Sequence, residues 1–292
     1  MTDGPGSPGA SNAATSSGRW GIQPLWEVLN PLLPGLSIEV LDRVASTNTE
    51  LVDRLRQASH DARGRGRGAR ADDLRPSLLV AVQQTQGRGR LGRAWLSSPD
   101  ASLTFSLSLA ITRSDWSGLS LAVGVALAQA LDPAGDSIGL KWPNDLWLRE
   151  PGNGGRKLGG VLIEAMTLGD SRVAVIGIGL NVLPVHLSEP VASISEFDPT
   201  ATAPTVLGRC MPSLARGLQA FERDGFAGVA AAYAARDLLS GRHVTTTDPH
   251  CPRGLATGVD GDGALLLQVE DRTHRIVSGE ISVRPADAAG AG

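Results

Sequence analysis

Two long apolar runs, Lys157 to Leu168 and Arg172 to Val182, are separated only by Gly169-Asp170-Ser171, with Gly169-Asp170 as the turn. So short a link joins neighbouring antiparallel strands, which commits the chain to a sheet that its other apolar segments must extend or cover. Leu78 to Val82 predicts a buried strand. In the stretch ending at Ile111, Leu103, Phe105, Leu107 and Leu109 alternate with Thr104, Ser106, Ser108 and Ala110, the pattern of a half-exposed strand. Ile138 to Leu148 reads as one further strand. Leu119 to Leu131, apolar and Ala-rich, predicts a buried helix, and Thr205 to about Leu239 a longer helical stretch interrupted near Gly225. Thr47-Asn48-Thr49-Glu50 ahead of Leu51, Val52 and Leu55 has capping-box form, with Thr47 as N-cap of a helix over 49–58.

Hydrophobic residues make up 41% of the 292 and charged residues 20%, enough to bury a core. A net charge of -3 argues against a chain that coats nucleic acid or an anionic membrane. Cys210 and Cys251 show neither a Cys-x-x-Cys nor a Cys/His spacing, so no disulfide framework or zinc site is indicated. No apolar run reaches about 18 residues and the Gly/Ser/Ala-rich start lacks a signal-peptide profile, so a cytoplasmic protein without a membrane span is expected. Residues 1–35 read as a flexible tail and lead-in. Pro24, Pro31 and Pro34 leave room there for one short helix before a strand near Leu36 to Leu41, too little for a winged helix-turn-helix. Arg63 to Arg70, alternating Arg with Gly, reads as an exposed insert. After Gly241 the texture changes to short strands, with Asp260-Gly261-Asp262-Gly263 as a hairpin signal. The expected units are therefore 36–237, a small barrel over 238–286, and a tail over 287–292.

Lys and Arg total 27, but Lys occurs only at 141 and 157, leaving 25 Arg. In a chain that uses Arg wherever either cation serves, the two lysines mark places where a compact charge is wanted. Gly87-Arg88-Gly89-Arg90-Leu91-Gly92 has the letters of a dinucleotide fingerprint, but the loop Arg93 to Asp100, with Pro99, offers no helix N-terminus for pyrophosphate. What remains is a glycine-rich loop whose backbone can approach a ligand and whose Arg88, Arg90 and Arg93 can grip an anion. Lys141-Trp142-Pro143-Asn144-Asp145 places a cation, an amide and a carboxylate on a rigid turn. Lys157-Leu158-Gly159-Gly160 starts a strand with the second Lys, and Gly177-Ile178-Gly179-Leu180-Asn181 clears space along another.

Taken together and in this order, Ser46-Thr47-Asn48, Gln84 with Gly87 to Gly92, Lys141 to Asp145, Lys157 to Gly160 and Gly177 to Asn181 resemble the biotin protein ligases, over roughly residues 38–286. The resemblance implies an α+β fold, a mixed sheet with flanking helices like that of class II aminoacyl-tRNA synthetases, followed by a small SH3-like β-barrel closed by Gly279 to Arg284. It implies an enzyme that uses ATP and Mg2+ to convert biotin to biotinyl-5′-adenylate and then moves the biotinyl group to one lysine of the biotin carrier domain of acyl-CoA carboxylase. Carried over position by position, Ser46, Thr47 and Gln84 hold the ureido end of biotin with Asn48 beside them. Gly89, Gly160 and Gly177 line that site, and Arg88 and Arg90 close over carboxylate and α-phosphate. Lys157 sits at the reacting centre, Lys141, Asn144, Asn181 and Trp95 serve the adenylate, and Asp145 serves magnesium. Catalysis would then rest on Lys157, Arg88 and Arg90, cations placed where two anions must meet.

Four features depart from the family pattern: Ala45 stands where many relatives have Asp, Pro151 to Gly155 lengthens a turn, the Arg/Gly insert at 63–70 has no family counterpart, and Val191-Ala192-Ser193-Ile194 only approximates the adenylate-side motif. Lipoate and octanoate protein ligases share the implied fold, but the Arg-bearing loop, the Lys-Trp-Pro-Asn-Asp segment and the barrel favour biotin. A biotin-responsive DNA-binding regulator is the alternative from another class. The Arg/Gly tract supports only salt-sensitive binding, so no specific DNA partner is expected, and the chain is expected to be a monomer or weak homodimer.

Overall fold

The computed structural model describes residues 18–64, 74–151, 155–185, 190–277 and 284–285. Seven strands form one mixed sheet: β1 (Ser37–Val44), β2 (Ser77–Gln84), β5 (Ser102–Ala110), β9 (Ser171–Asn181), β8 (Arg156–Leu168), β7 (Asp145–Leu148) and β6 (Ile138–Lys141), in that spatial order. Only β1 and β2 run parallel. The founding hairpin β8–β9 pairs along its length from Gly159↔Leu180 to Leu168↔Ser171, turning at Gly169 with φ 57°. Two further strands, β3 (Gly87–Arg88) and β4 (Ala94–Trp95), form a separate small ribbon.

Helices cover the two faces unequally. Helices α1 (Ile22–Leu29), α3 (Leu119–Leu131) and α4 (Ala203–Asp224) pack on one face, where Leu78, Phe105, Leu107, Ile176 and Leu180 join Leu127, Met211 and Leu214 in the main core. On the opposite face α2 (Thr47–Gly64) sets Leu51, Val52 and Leu55 against Leu79, Val173 and Val175. Beyond Val175 the centre of that face carries small residues, Ser106, Thr104, Gly177, Gly179 and Gly160.

Several local expectations are revised. β5 is not half-exposed: Ser102, Thr104, Ser106 and Ser108 are all below 4% exposed, because their face lies under α2 and the glycine-rich loop. Ile138 to Leu148 is a hairpin, since Trp142-Pro143 turns the chain and Leu140 pairs with Leu146. The N-cap of α2 is Ser46, not Thr47. Ser46 Oγ accepts from the Thr49 amide, which frees the Thr47 hydroxyl to point into the sheet, while Glu50 pairs with Arg54. α4 begins at Ala203 behind a Thr202 cap and ends at Gly225, where the sequence predicts a break, and the short α5 (Ala230–Ala234) follows. Residues 65–70 of the Arg/Gly tract, residues 152–154 of the turn before β8 and most of Gly279 to Arg284 lie outside the described residues.

From His243 onward the chain forms a second, antiparallel sheet of five strands: β13 (Arg272–Ile276), β12 (Leu265–Val269), β11 (Arg253–Val259), β10 (His243–Thr245) and β14 (Arg284–Pro285). The Asp260 to Gly263 turn joins β11 to β12 as predicted, and the Trp142 indole N–H donates to the Gly263 carbonyl at 3.0 Å, tying the rigid turn of the first sheet to the second. A buried Arg236–Asp132 pair, with Arg236 also donating to the Ile138 carbonyl, anchors the segment that leads into the second sheet.

Candidate functional site

Between α2 and the glycine-rich loop, the register of three strands sets the floor of the candidate cleft. Ser106 lies opposite Gly177, Thr104 opposite Gly179, and Gly179 opposite Gly160, so hydroxyls and bare backbone make a single floor. Larger residues there would collide with what lies above. A Cβ on Gly177 would stand 2.2 Å from Asn48 Oδ1, and one on Gly179 would stand 2.4 Å from the Trp95 ring. Glycine at these positions is therefore demanded by close approach, not by backbone conformation.

At one end the cleft closes on a neutral hydrogen-bond network. The Thr47 amide and hydroxyl both donate to Gln84 Oε1, at 2.7 and 3.1 Å. Ser106 Oγ lies 2.6 Å from both Thr47 Oγ1 and Asn48 Oδ1 and, with a single proton, donates to one at a time. Asn48 in turn donates to the Leu162 carbonyl and to Glu164. Ser46, Thr47, Asn48 and Ser106 are buried, so these groups are held in place before any ligand arrives.

At the other end the groups are charged. Lys157 Nζ lies 2.8 Å from Asp145 Oδ1, and Gly160 leaves the room for that pair. Arg90 donates to Asn144 Oδ1 at 3.2 Å, while Asn144 donates to the Val161 carbonyl. Burial of Arg90 disfavours its charged form, and the Asp145 carboxylate opposes that effect. Lys141 stands opposite Asp145 in the β6–β7 register with its ammonium 4.1 Å from the centre of the Trp147 ring. The ribbon β3–β4 carries Arg88, whose guanidinium meets Glu164 and Thr49 Oγ1, and Gly89 donates to the Arg93 carbonyl to close the loop. The Trp95 indole N–H is buried over Gly179 without a hydrogen-bond partner, a donor available to whatever occupies the cleft.

The structure thus gathers Ser46, Thr47, Asn48, Gln84, Arg88, Arg90, Trp95, Asn144, Asp145, Lys157, Gly160 and Gly177 around one cleft. Asn181 is deeper: its side chain is buried and donates to the Ala192 carbonyl. That contact belongs to a larger tie, since the Ala192 amide donates to the Lys157 carbonyl and Arg156 grips Val191, Glu150 and Glu196. The segment Val191 to Ile194 is therefore fixed beside Lys157 despite its loose match to a motif. Ser106 and Glu164 were not singled out by sequence. The strict Ser/Thr alternation of β5, facing a strand with glycines at the same spacing, was the signal for Ser106.

A cavity of about 530 Å³ opens beside Arg90 and Asn144 and runs between Val161 to Ile163 of β8, Trp116 and the Gly263–Ala264 turn of the second sheet. Among the described residues no three His, Cys, Asp or Glu side chains converge on a metal-sized site. A single carboxylate such as Asp145 suits a Mg2+ that arrives on a triphosphate and keeps much of its water. No helix among the described residues is long and apolar enough to cross a membrane.

Comparison with known proteins shows the family and the fold. Residues 72–181 match the Biotin/lipoate A/B protein ligase family and residues 239–284 the Biotin protein ligase C terminal domain. The chain is 32% identical over 267 residues to the bifunctional ligase/repressor BirA of Escherichia coli, covering 87% of this chain and 76% of that protein. It is 31% identical to the biotin--[acetyl-CoA-carboxylase] ligase of Mycobacterium tuberculosis, covering 84% and 88%. The fold superposes on the biotin protein ligase from Aquifex aeolicus in complex with biotin and ATP with a TM-score of 0.67 and 26% identity, covering 86% and 99%.

Proposed function

The chain belongs to the biotin protein ligase family, and from that premise we propose how its own residues carry out ATP-dependent biotin ligation. The neutral end of the cleft, Thr47, Gln84 and their partners, takes the ureido ring of biotin. Biotin's length then carries its carboxylate toward Lys157, Arg88 and Arg90. There a carboxylate oxygen attacks the α-phosphorus of ATP; an O–P bond forms, the bond to pyrophosphate breaks, and biotinyl-5′-adenylate remains. An ε-amine of a carrier lysine next attacks the acyl carbon, forming an amide, releasing AMP and passing its proton to solvent. The protein contributes placement and charge, with no nucleophile of its own.

Lys157 offsets charge at the α-phosphate, and Asp145 orients it and meets the Mg2+ that accompanies ATP. Asn144 fixes Arg90, and Lys141, Trp95 and the segment held by Asn181 border the adenylate. The single observation that carries this reading is the Lys157–Asp145–Arg90–Asn144 cluster sharing one sheet face with the Thr47–Gln84–Ser106 network. We read residues 36–237 as a catalytic unit related to class II aminoacyl-tRNA synthetases and 238–286 as an SH3-like barrel. The partner is the biotin carrier domain of acyl-CoA carboxylase, the chain acts in the cytoplasm as a monomer or weak homodimer, and it has no specific DNA site.

The test is direct. Given biotin, ATP and Mg2+, the protein is expected to release pyrophosphate and retain an adenylate, and added carrier domain is expected to gain one labelled lysine. Activation of octanoate or lipoate with biotin ignored would refute the substrate assignment, and a gel shift confined to a promoter fragment would refute the absence of a DNA site.

A further inference from the structure

We propose that Glu164 is a positioning residue that latches the glycine-rich loop over the bound adenylate by holding Arg88, a role that rests on the ligase reading of the same cleft. Glu164 lies on β8 opposite Val175, just past the glycine floor, and is 26% exposed. One carboxylate oxygen is 3.2 Å from an Arg88 terminal nitrogen, and the other accepts from Asn48 Nδ2 at 2.9 Å.

Electrostatics alone would disfavour a carboxylate here, because the carboxylate of biotin and a triphosphate must converge close by. Its presence calls for a compensating task, and the geometry supplies one. Arg88 sits on a two-residue strand with its side chain half exposed, so without an anchor it would sample many rotamers in water. Glu164 and Thr49 Oγ1 restrain it from two sides. A guanidinium carries five N–H donors in a rigid fork. The two contacts leave donors for the ligand's carboxylate or phosphate, so anchoring and gripping are compatible. Because Glu164 also holds Asn48, which rests on Gly177, the loop above the cleft is tied to the floor below through a single carboxylate.

The test measures how long the enzyme retains adenylate. Protein loaded with biotin and ATP labelled in the α-phosphate is passed through a desalting column, and retained label is followed with time. Glu164→Gln, which keeps shape but removes charge, is expected to shorten retention about fivefold, the upper range for a partly exposed ion pair, while Glu164→Asp, which keeps the charge, is expected to retain label longer than Glu164→Gln. In an Arg88→Ala background Glu164→Gln is expected to add nothing. Retention equal to that of the unaltered protein overturns the proposal, as does a full additive loss in the Arg88→Ala background, which would place the effect at Asn48. Should Glu164→Gln fail to fold, Thr49→Val removes only the second anchor of Arg88, and unchanged retention in that variant counts against the latch. If the unaltered protein itself forms no adenylate from biotin, the ligase reading fails first, which separates the two outcomes.

Discussion

At one end of the cleft Ser46, Thr47, Asn48 and Ser106 are buried and uncharged, and Ser106 is bonded to Thr47 and Asn48. At the other, Lys157, Asp145 and Arg90 are charged and partly exposed, while Arg88 on the loop reaches back to Thr49 and Glu164 beside Asn48. The neutral end recognises shape and hydrogen-bond pattern with atoms that need not move, so its contribution is insensitive to salt. The charged end holds Lys157 in reserve on Asp145, so that no isolated charge is buried before two anions arrive. Specificity and chemistry are thereby assigned to opposite ends of one sheet face.

Substitutions separate the two ends, and the largest effect is expected at the charged one. Lys157→Ala should slow adenylate formation by about two to three orders of magnitude, the range for removing one preorganised stabiliser of developing charge, with biotin affinity nearly unchanged. Lys141→Arg should lower the rate by less than about tenfold, since a guanidinium also stacks on Trp147. Single-turnover pyrophosphate release distinguishes them, and equal mild losses would dissolve the contrast. At the neutral end Gly177→Val drives a side chain into Asn48 and should weaken biotin binding by more than about tenfold, read by calorimetric titration.

Smaller effects sharpen the same comparison. Ser106→Ala removes the donor to Asn48 and Thr47, and a buried acceptor left unsatisfied costs about 1–3 kcal/mol. Biotin affinity should fall roughly tenfold while the KM for ATP stays constant. Arg156→Gln loosens the segment beside Lys157 and should raise the KM for ATP a few fold without changing biotin affinity, the modest effect expected of partly exposed ion pairs. Raising the salt concentration should reproduce only the charged-end behaviour. A loss of affinity with salt as large for biotin as for ATP would break the contrast, because biotin meets the charged end through one carboxylate only.

Much of this arrangement was legible in advance. The β8–β9 hairpin, the buried α3, the break at Gly225 and the strand-rich C-terminal unit follow from local spacing and turn chemistry, which act within a few residues. The residues proposed for the site stand out in the sequence because unusual residue types recur in short motifs, with two lysines in a chain otherwise given to arginine. The exposure of β5 was misread because alternation says only that the two faces differ, not what lies over the polar one. Thr47 was misassigned as the cap because Ser46 is an equally good N-cap, and the choice was made by Gln84 and Ser106, far away in sequence. Glu164 and Arg156 carried no local signal, since an acidic or basic residue on a strand usually faces water.

By itself the sequence determined which segments form strands and helices, where they turn, and which side chains could carry charge to a reaction. Local backbone preference and hydrophobic period decide those matters within a dozen residues. Only the tertiary structure decided that the Ser/Thr face of β5 is the floor of a cleft, that Asn48 and Trp95 occupy the space above Gly177 and Gly179, and that Glu164 reaches Arg88. Those contacts join residues from different elements, and their energies depend on which distant surfaces exclude water from between them.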